Sequence, residues 1–563
     1  MAPQRITGDL YLANLLVSSE SPTEAEMPTV AKKRFFLLEL EWRVRFFALF
    51  CGGFVGLAAP GFDQWYIPWF CMVSLLLLTV TSREPWSAAL RGFYFGFGYN
   101  LVYLSWFLTF RPVYCQGTFV FCHQVVVLAF WLLVSAAEGA FTGIFSCFMR
   151  ALPLVAGWLP SKHQGRWRWP AFFVVPFLWM LVDRLCNTTQ LLGFPWSAVQ
   201  YSQCQQLVVL QSASLIGGTG IAAWIMLVNT TLLSLLLRNA WFKSVLSWIF
   251  ARDLTSESLL PFIFGTDMKL AAHSVVTLLI CSVLLVFGCK RLELERALLA
   301  TKQKVTVSAV QAGVSPKTHK VSDAFVYYKY FELIAKAPAG TICVLPEWVF
   351  PLDFSKDQDL FSNTATRAKR DGQSWVFGCF DNDKVGRKFN SVSAIAASGA
   401  VLPVVYHKRY LVPVGEYTPD WIRESPAGVI LYGADKKYRD TSSGERPVIF
   451  DLGKAKIAPV ICFECAYPKL CAQSIRAGGQ LITDSSDNSW FERSILSNQM
   501  VGFCVMRAVE NHRSFVFSTA LGPSAIIDSS GHILQLAPLE APAVITSEVP
   551  VENDTTLFTR WCF

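Results

Sequence analysis

The stretch KIAPVICFECAYP, residues 456–468, changes character within a few positions. Lys456 to Ile461 is a short apolar run with isoleucine and valine, the length and texture of a strand buried on both faces. Directly after it stand two cysteines, Cys462 and Cys465, with Glu464 between them. Thiols at this spacing admit three chemistries: a metal clip, a redox pair, or one nucleophile beside a bystander. A structural zinc ion needs four ligands, and Cys471, His407 and His512 would have to be recruited from separate loops. A redox pair would open a helix with reactive sulfurs. Which chemistry holds depends on what surrounds the strand.

Moving outward, KVTVSAVQ (304–311), TICVLPE (341–347), SWVFGCF (374–380), NSVSAIAASGAVL (390–402), QLITDSSDN (480–488), RSFVFSTA (513–520) and PSAIIDSSGHIL (523–534) are runs of the same kind. ASGA and DSSGH inside two of them read as tight turns between paired strands. Polar, helix-compatible segments separate the runs. Strands mixed with helices over about 250 residues predict one layered α/β domain whose sheets are covered by helices, at 304–549, with a tail at 550–563.

The first half obeys another solvent. The 563-residue chain is 53% hydrophobic and 16% charged, too apolar for a protein solvated on every side. Apolar blocks at about 46–62, 66–82, 92–110, 124–148, 169–186, 218–237 and 270–288 each approach the length that crosses a bilayer core. They predict a membrane domain of about seven helices at 41–290, after a polar extension at 1–40 and before a charged connecting helix at 291–303. Basic residues collect on alternate connections: Arg43 and Arg45, Arg83 and Arg91, Arg150 to Arg168, then Arg238 to Lys269. The other side has almost only Arg111 and Arg184, so the N-terminus is expected in the cytoplasm and the α/β domain across the membrane. AWFKSVLSWIF (240–250) is too short to span and reads as an interfacial helix. The net charge of +8 lies beside apolar segments, and no basic and aromatic stripe follows a phosphate backbone, which excludes a nucleic-acid partner. Sixteen scattered cysteines do not form a secreted disulfide framework; Cys115 and Cys122 alone share a loop where a bridge is conceivable.

Three residues at strand ends or in glycine- and proline-bounded loops carry complementary chemistry: Glu347 in LPEWVFP, Lys408 in YHKRYLVPVGEYTP, and Cys462. A thiol attacking a carbonyl needs a base for its proton, a cation for the oxyanion and a rigid platform. Glutamate, lysine and cysteine supply that set with no metal and no diffusible cofactor.

The set LPE, YHKRYLVPVGEYTP, ICFE, DNSWF (487–491) and MRAVENHRSFVFSTALGPSAIIDSSGHI (506–533) resembles the nitrilase, or carbon–nitrogen hydrolase, superfamily. Such a domain after about seven spans, with GFPW (193–196) between two of them, resembles the bacterial apolipoprotein N-acyltransferases, over nearly the whole chain beyond its first forty residues. The resemblance implies a four-layer αββα domain in which Glu347 is general base, Lys408 oxyanion support and Cys462 nucleophile, leaving Cys465 a buried bystander. It implies supporting carboxylates at Glu416 and Glu464. Asn488 and Trp490, and Trp196 in GFPW, are candidates for pocket walls. The implied reaction moves an acyl chain from a phospholipid, through a Cys462 thioester, to the α-amino group of a diacylglyceryl-modified N-terminal cysteine, in a monomer of the bacterial inner membrane with its catalytic domain in the periplasm. The alternative is a membrane-tethered amidase or nitrilase acting on a small amide. Family members commonly carry one more apolar helix after the domain; TTLFTRWCF at the end of this sequence leads to no such expectation. Residues 417–447, rich in glycine, proline and charge, could include a lid.

Overall fold

A computed structural model of the chain describes residues 29–82, 84–110, 120–151, 171–188, 195–250, 267–315, 321–353, 358–413, 415–424, 440–491 and 493–562. Cys115, Gly193 and residues 425–439 lie outside them, so the bridge and the middle of the 417–447 segment fall there too.

The apolar half folds into α1 (Thr29–Gly56), α2 (Ile67–Val80), α3 (Pro85–Tyr103), α4 (Val120–Ala151), α5 (Ala171–Thr188), α6 (Ala213–Leu236), a short α7 (Ala240–Ile249) and α8 (Asp267–Leu298). A helix therefore stands at each expected span, though α2 has only 14 residues, and α7 is the short helix expected at 240–250. The first begins well upstream, because AKKRFF continues the helical run instead of ending it. Among the described residues, three helices are long and apolar enough to cross a membrane: Gln124–Ala151, Ala213–Leu236 and Ala271–Leu298. In the most apolar stretch of α6, 67% of the residues are buried, against 11% in α8, so α6 is central and α8 turns Leu278, Leu279, Val283 and Val286 outward.

Glycines set how closely these helices approach. A Cβ added at Gly52 would lie 1.8 Å from Phe95 O, and one at Gly98 would lie 2.0 Å from Leu49 O, so α1 and α3 touch backbone to backbone. Gly96 meets Gly139 and Thr142 of α4 in the same manner. Without a hydrophobic drive between helices in lipid, such close contact supplies the packing energy.

The second half contains β1 (Lys304–Gln311), α9 (Asp323–Ile334), β2 (Ile342–Val344), β3 (Phe350–Asp353), α10 (Gln358–Asp371), β4 (Ser374–Asn382), β5 (Lys388–Ile395), β6 (Tyr406–His407), β7 (Phe450–Asp451), β8 (Lys456–Ile461), α11 (Pro468–Arg476), β9 (Leu481–Ser486), α12 (Leu496–Asn511), β10 (Ser514–Thr519), β11 (Ala525–Ile527), β12 (Ile533–Leu536), β13 (Ala543–Pro550) and α13 (Leu557–Trp561). One sheet runs β13-β1-β2-β4-β5-β6 with β3 on β4; the other runs β12-β11-β10-β9-β8-β7. In each, the central strands are parallel and the edges antiparallel.

The alternation of side chains sorts the layers. Val305, Val307 and Ala309 of β1 face Ile457 and Ile461 of β8 in a core between the sheets. The outer face of the first sheet packs on α9 and α10 through Val326, Phe331 and Ala368. Ala458 and Val460, on the other face of β8, pack on α11 and α12, and that core runs on without a break into the membrane helices. The result is the four-layer αββα sandwich, with the membrane bundle seated against its outer α layer.

Specific bonds cross that seam. Trp196 donates its indole N–H to Gln499 (2.6 Å), whose own amide donates to Tyr103 O (2.9 Å). Gly217 has φ of 69°, which breaks α6 and frees the Gly218 N–H to donate to Glu510 Oε1 at 2.8 Å. Glu510 also pairs with Arg507 at 2.9 Å, both fully buried.

Candidate active site

Strand β8 ends at Ile461, and Cys462 opens a 3₁₀ turn, Cys462–Ala466, with φ of 55°. That left-handed conformation carries a side chain at a steric cost and turns the thiol away from the alternation of the strand. The Cys462 N–H donates to Asp484 Oδ1 on neighbouring β9 at 2.6 Å, which fixes the turn. Cys462 keeps part of its surface open, whereas Cys465 is fully buried beside Asp484 and Cys504. The two thiols thus face different surroundings, and neither belongs to a disulfide.

Glu347 follows β2 on a loop lying on β4, where Gly378 leaves the room: a Cβ there would come within 2.7 Å of Glu347 Cα. The next residue, Trp348, has φ of 59°, so strained backbone stands beside Glu347 as well. Lys408 follows β6, and its N–H donates to Asn390 O at 2.8 Å. Its ammonium lies 2.9 Å from Glu416 Oε1 and 3.7 Å from Glu347 Oε1, with only 1% of the side chain exposed. Burial works against that proton; Glu416 and then Glu347 outweigh it and hold the lysine charged, well above its ordinary range.

The remaining expected residues divide. Glu416 also accepts the Val412 N–H at 2.8 Å, which closes its loop and aims the carboxylate at Lys408. Glu464, fully buried, accepts the N–H groups of Arg409 (2.7 Å), Tyr410 (3.0 Å) and Ile461 (2.8 Å) and the Tyr406 hydroxyl (2.8 Å). It braces the Lys408 loop against the Cys462 turn rather than facing Lys408. Asn488 is buried and accepts the Ser486 hydroxyl at 3.1 Å; its Nδ2 has no partner among the described residues. Trp490 stacks on Phe110 with ring centroids 6.0 Å apart, and Trp196 packs on Trp106 at 5.3 Å and on Phe503 at 4.9 Å. Both tryptophans therefore belong to the aromatic seam between the halves, not to the group around Lys408.

Two residues escaped the sequence. Asn390 on β5 donates to Glu347 Oε1 at 2.6 Å and to Glu416 Oε1 at 2.7 Å, tying the two carboxylates together. Asp484 holds the Cys462 backbone, and burial pushes its carboxyl well above the usual carboxylate range. A polar residue inside an apolar strand was the only available signal for either.

Burial also pushes the Cys462 thiol up, to about 12; the Glu347 charge adds to the rise and Lys408 opposes it. The resting sulfur is protonated. Of the two carboxylates that raise its pKa, Glu347 contributes more than Asp484.

Residues 51–231 match the family model described as apolipoprotein N-acyltransferase N-terminal domain, and residues 311–555 match carbon–nitrogen hydrolase. The chain belongs to the apolipoprotein N-acyltransferase family. An apolipoprotein N-acyltransferase of Geobacter metallireducens is 25% identical over 513 residues, spanning 89% of this chain and 88% of its own. One of Nitrosomonas europaea is 26% identical over 531 residues, spanning 92% and 94%. Among solved structures, an amidase from Nesterenkonia sp. shares 14% identity over 46% of this chain and 93% of its own, with a TM-score of 0.33. Members of the family are acyltransferases, and this chain is an enzyme of that class.

Proposed function

We propose that this chain transfers an acyl group from a membrane phospholipid to the α-amino group of a lipid-modified N-terminal cysteine, with Cys462 as nucleophile, Glu347 as the proton relay and Lys408 as oxyanion support. One observation carries the assignment of roles. The buried ammonium of Lys408 stands 3.7 Å from Glu347, and the Cys462 thiol feels the charge of both.

Glu347 takes the thiol proton as Cys462 Sγ bonds to the ester carbonyl carbon. The carbonyl oxygen becomes an oxyanion facing Lys408, whose charge Glu416 secures. Collapse breaks the carbon–oxygen ester bond; the leaving oxygen takes the proton from Glu347 and departs as lysophospholipid, leaving a thioester. The amine then attacks the thioester carbonyl and yields a proton to Glu347. The carbon–sulfur bond breaks, the sulfur regains that proton, and the acyl group ends as an amide. Splitting the reaction means that two bulky lipids never need to occupy the site at once.

The bundle favours lipid substrates, since a single helix would suffice to anchor a hydrolase of small amides. Its charge asymmetry supports an inner-membrane position with the αββα half on the periplasmic side.

The test is mass spectrometry of the intact enzyme after incubation with phospholipid alone. An acyl mass on the wild type, absent from Cys462→Ala and discharged by a diacylglyceryl lipopeptide, is the expected result. An unmodified wild type, or ammonia release from small amides without transfer, would overturn the reading.

A further inference from the structure

Strand β9 ends on Ser486 beside the Cys462 turn, because β8 and β9 run parallel with Ile461 opposite Ser485. Side chains alternate along the strand. Ser485 points into the layer between the sheets, where its hydroxyl donates to Leu345 O at 2.8 Å, so Ser486 lies on the other face with Asp484, the residue that holds the Cys462 N–H. The Ser486 carbonyl accepts the Glu347 N–H at 3.3 Å. One fully buried serine therefore meets the base through its backbone and stands next to the nucleophile.

The acyl-transfer steps leave the Ser486 hydroxyl without a role. It donates to Asn488 Oδ1 at 3.1 Å, and Asn488 is itself pinned, since its N–H donates to Thr519 Oγ1 at 3.2 Å on the strand that flanks Ser486 from the other side. With its hydrogen committed to Asn488, the oxygen keeps lone pairs for a donor. The protonated Cys462 thiol is that donor in the resting enzyme. A hydroxyl can also give a hydrogen bond, so an ionised sulfur would draw the same hydrogen toward itself. The influences on Cys462 agree with this: burial raises its pKa most, Glu347 and Asp484 add to the rise, and Lys408 and a hydrogen bond with the Ser486 side chain oppose it.

We propose that Ser486 is a positioning residue for the Cys462 sulfur: its hydroxyl accepts the S–H hydrogen bond at rest and, once Glu347 has taken that proton, turns its own hydrogen from Asn488 Oδ1 to the sulfur. No proton leaves Ser486; only its O–H bond rotates. Asn488, expected as a pocket wall, instead holds that hydrogen away from the sulfur until the thiol ionises. This deepens the reading above and rests on Cys462 being the nucleophile there.

Alkylation of Cys462 by iodoacetamide at pH 8, followed by mass spectrometry of its peptide in the full-length enzyme, reads the sulfur without any acyl substrate. Ser486→Ala removes the hydrogen that reaches the thiolate and should slow alkylation about tenfold. Asn488→Leu releases that hydrogen and should speed alkylation about threefold to fivefold. In the double variant the gain should vanish and the rate should match that of Ser486→Ala, because Asn488 acts through the hydroxyl. Single-turnover acylation from phospholipid should slow about tenfold in Ser486→Ala, with the half-saturating lipid concentration unchanged. Slower alkylation in both single variants means that the two side chains only pack, and overturns the proposal. Unchanged rates, or a double variant faster than Ser486→Ala, overturn it equally. If Ser486→Ala does not fold, Asn488→Leu alone decides, since a packing role gives no gain. A wild type that phospholipid never acylates, with the alkylation pattern intact, defeats the acyl-transfer reading and still supports the hold of the hydroxyl on the sulfur.

Discussion

Asn390 and Glu347 are joined by a 2.6 Å hydrogen bond, and the same amide nitrogen reaches Glu416 at 2.7 Å. Two carboxylates that would repel one another are thereby held around one lysine. Asn390→Leu should loosen Glu347 while leaving the thiol in place, and lower the acylation rate by about 10- to 100-fold. Asn390→Asp adds a third negative charge and should lose more. Single-turnover acylation measures both, and a Leu variant as fast as wild type refutes the role.

Removing the charge of Glu347 should separate two properties of Cys462. Glu347→Gln eliminates the proton acceptor and should cost about 10²- to 10⁴-fold in transfer. The same change removes one cause of the raised thiol, so its pKa falls from about 12 and iodoacetamide should alkylate it faster at pH 8. In the wild type, alkylation should keep climbing through pH 10 without a plateau. A plateau near neutrality would mean a preformed thiolate.

Lys408→Met should abolish turnover, by about 10²- to 10³-fold, without releasing the enzyme from the membrane. Because the variant leaves Glu416 and Glu347 buried with no cation between them, some stability should be lost as well. Lys408→Arg keeps the charge but not the shape and should not restore the rate. Acylation and melting temperature, read together, distinguish the two losses.

A charged cluster around the buried His512 joins α8 to the αββα half, and it sets a pH window. His512 Nε2 lies 2.9 Å from Glu295 and its Nδ1 2.9 Å from Asp554, while Lys302 bridges Glu295 and Glu552. Arg291 and Arg513 face the same group. Burial works against the His512 charge, yet Asp554 and Glu295 raise its pKa above 6.5. Its contribution is complete below pH 6.5 and disappears as pH rises through the higher native value. Burial would raise Glu295, but His512 and Lys302 bring it down to about 2, so its contribution is complete above pH 4.5 and disappears as pH falls toward 2. The melting temperature should therefore fall on the alkaline side, and His512→Gln should flatten that limb. A wild-type limb already flat from pH 6 to 9 would contradict this.

Neighbouring glycines in α1 should behave oppositely. A Cβ at Gly52 collides with Phe95 O at 1.8 Å, whereas at Gly53 the nearest atoms are 3.6 Å away. Gly52→Ala should cost about 1–3 kcal/mol and reduce the yield of folded enzyme, and Gly53→Ala should be tolerated. Thermal unfolding in detergent gives the comparison.

Long periodic signals were the legible part of the fold. β1 occupies 304–311 as its valine alternation predicts, and among the described residues a helix stands where each of the seven apolar blocks was read. The strands that escaped are those with little periodicity to show. β6 and β7 have two residues each, and β13, Ala543–Pro550, is an edge strand mostly half-exposed along its length. In the site, Glu347, Lys408 and Cys462 were distinguishable by their strand-end contexts and by resemblance. Asn390 was not, because a buried amide in a strand reveals itself only through partners that are remote in sequence, 43 and 26 residues away. Trp196 was read as a candidate pocket wall; what sequence could not show is its contact with Gln499 and Phe503, some 300 residues away in the chain.

The unbroken core shared by the bundle and α12 makes the two halves mutually dependent. A polypeptide begun at Lys304 would keep every atom of the Glu347, Lys408 and Cys462 group, yet it would bare Phe503, a ring that Trp196 and Tyr201 normally cover, and leave Glu510 without the Gly218 amide. Water would meet a greasy wall around an ion pair, Arg507 with Glu510, that had lost one of its hydrogen bonds, so solubility could not be gained by cutting the membrane part away.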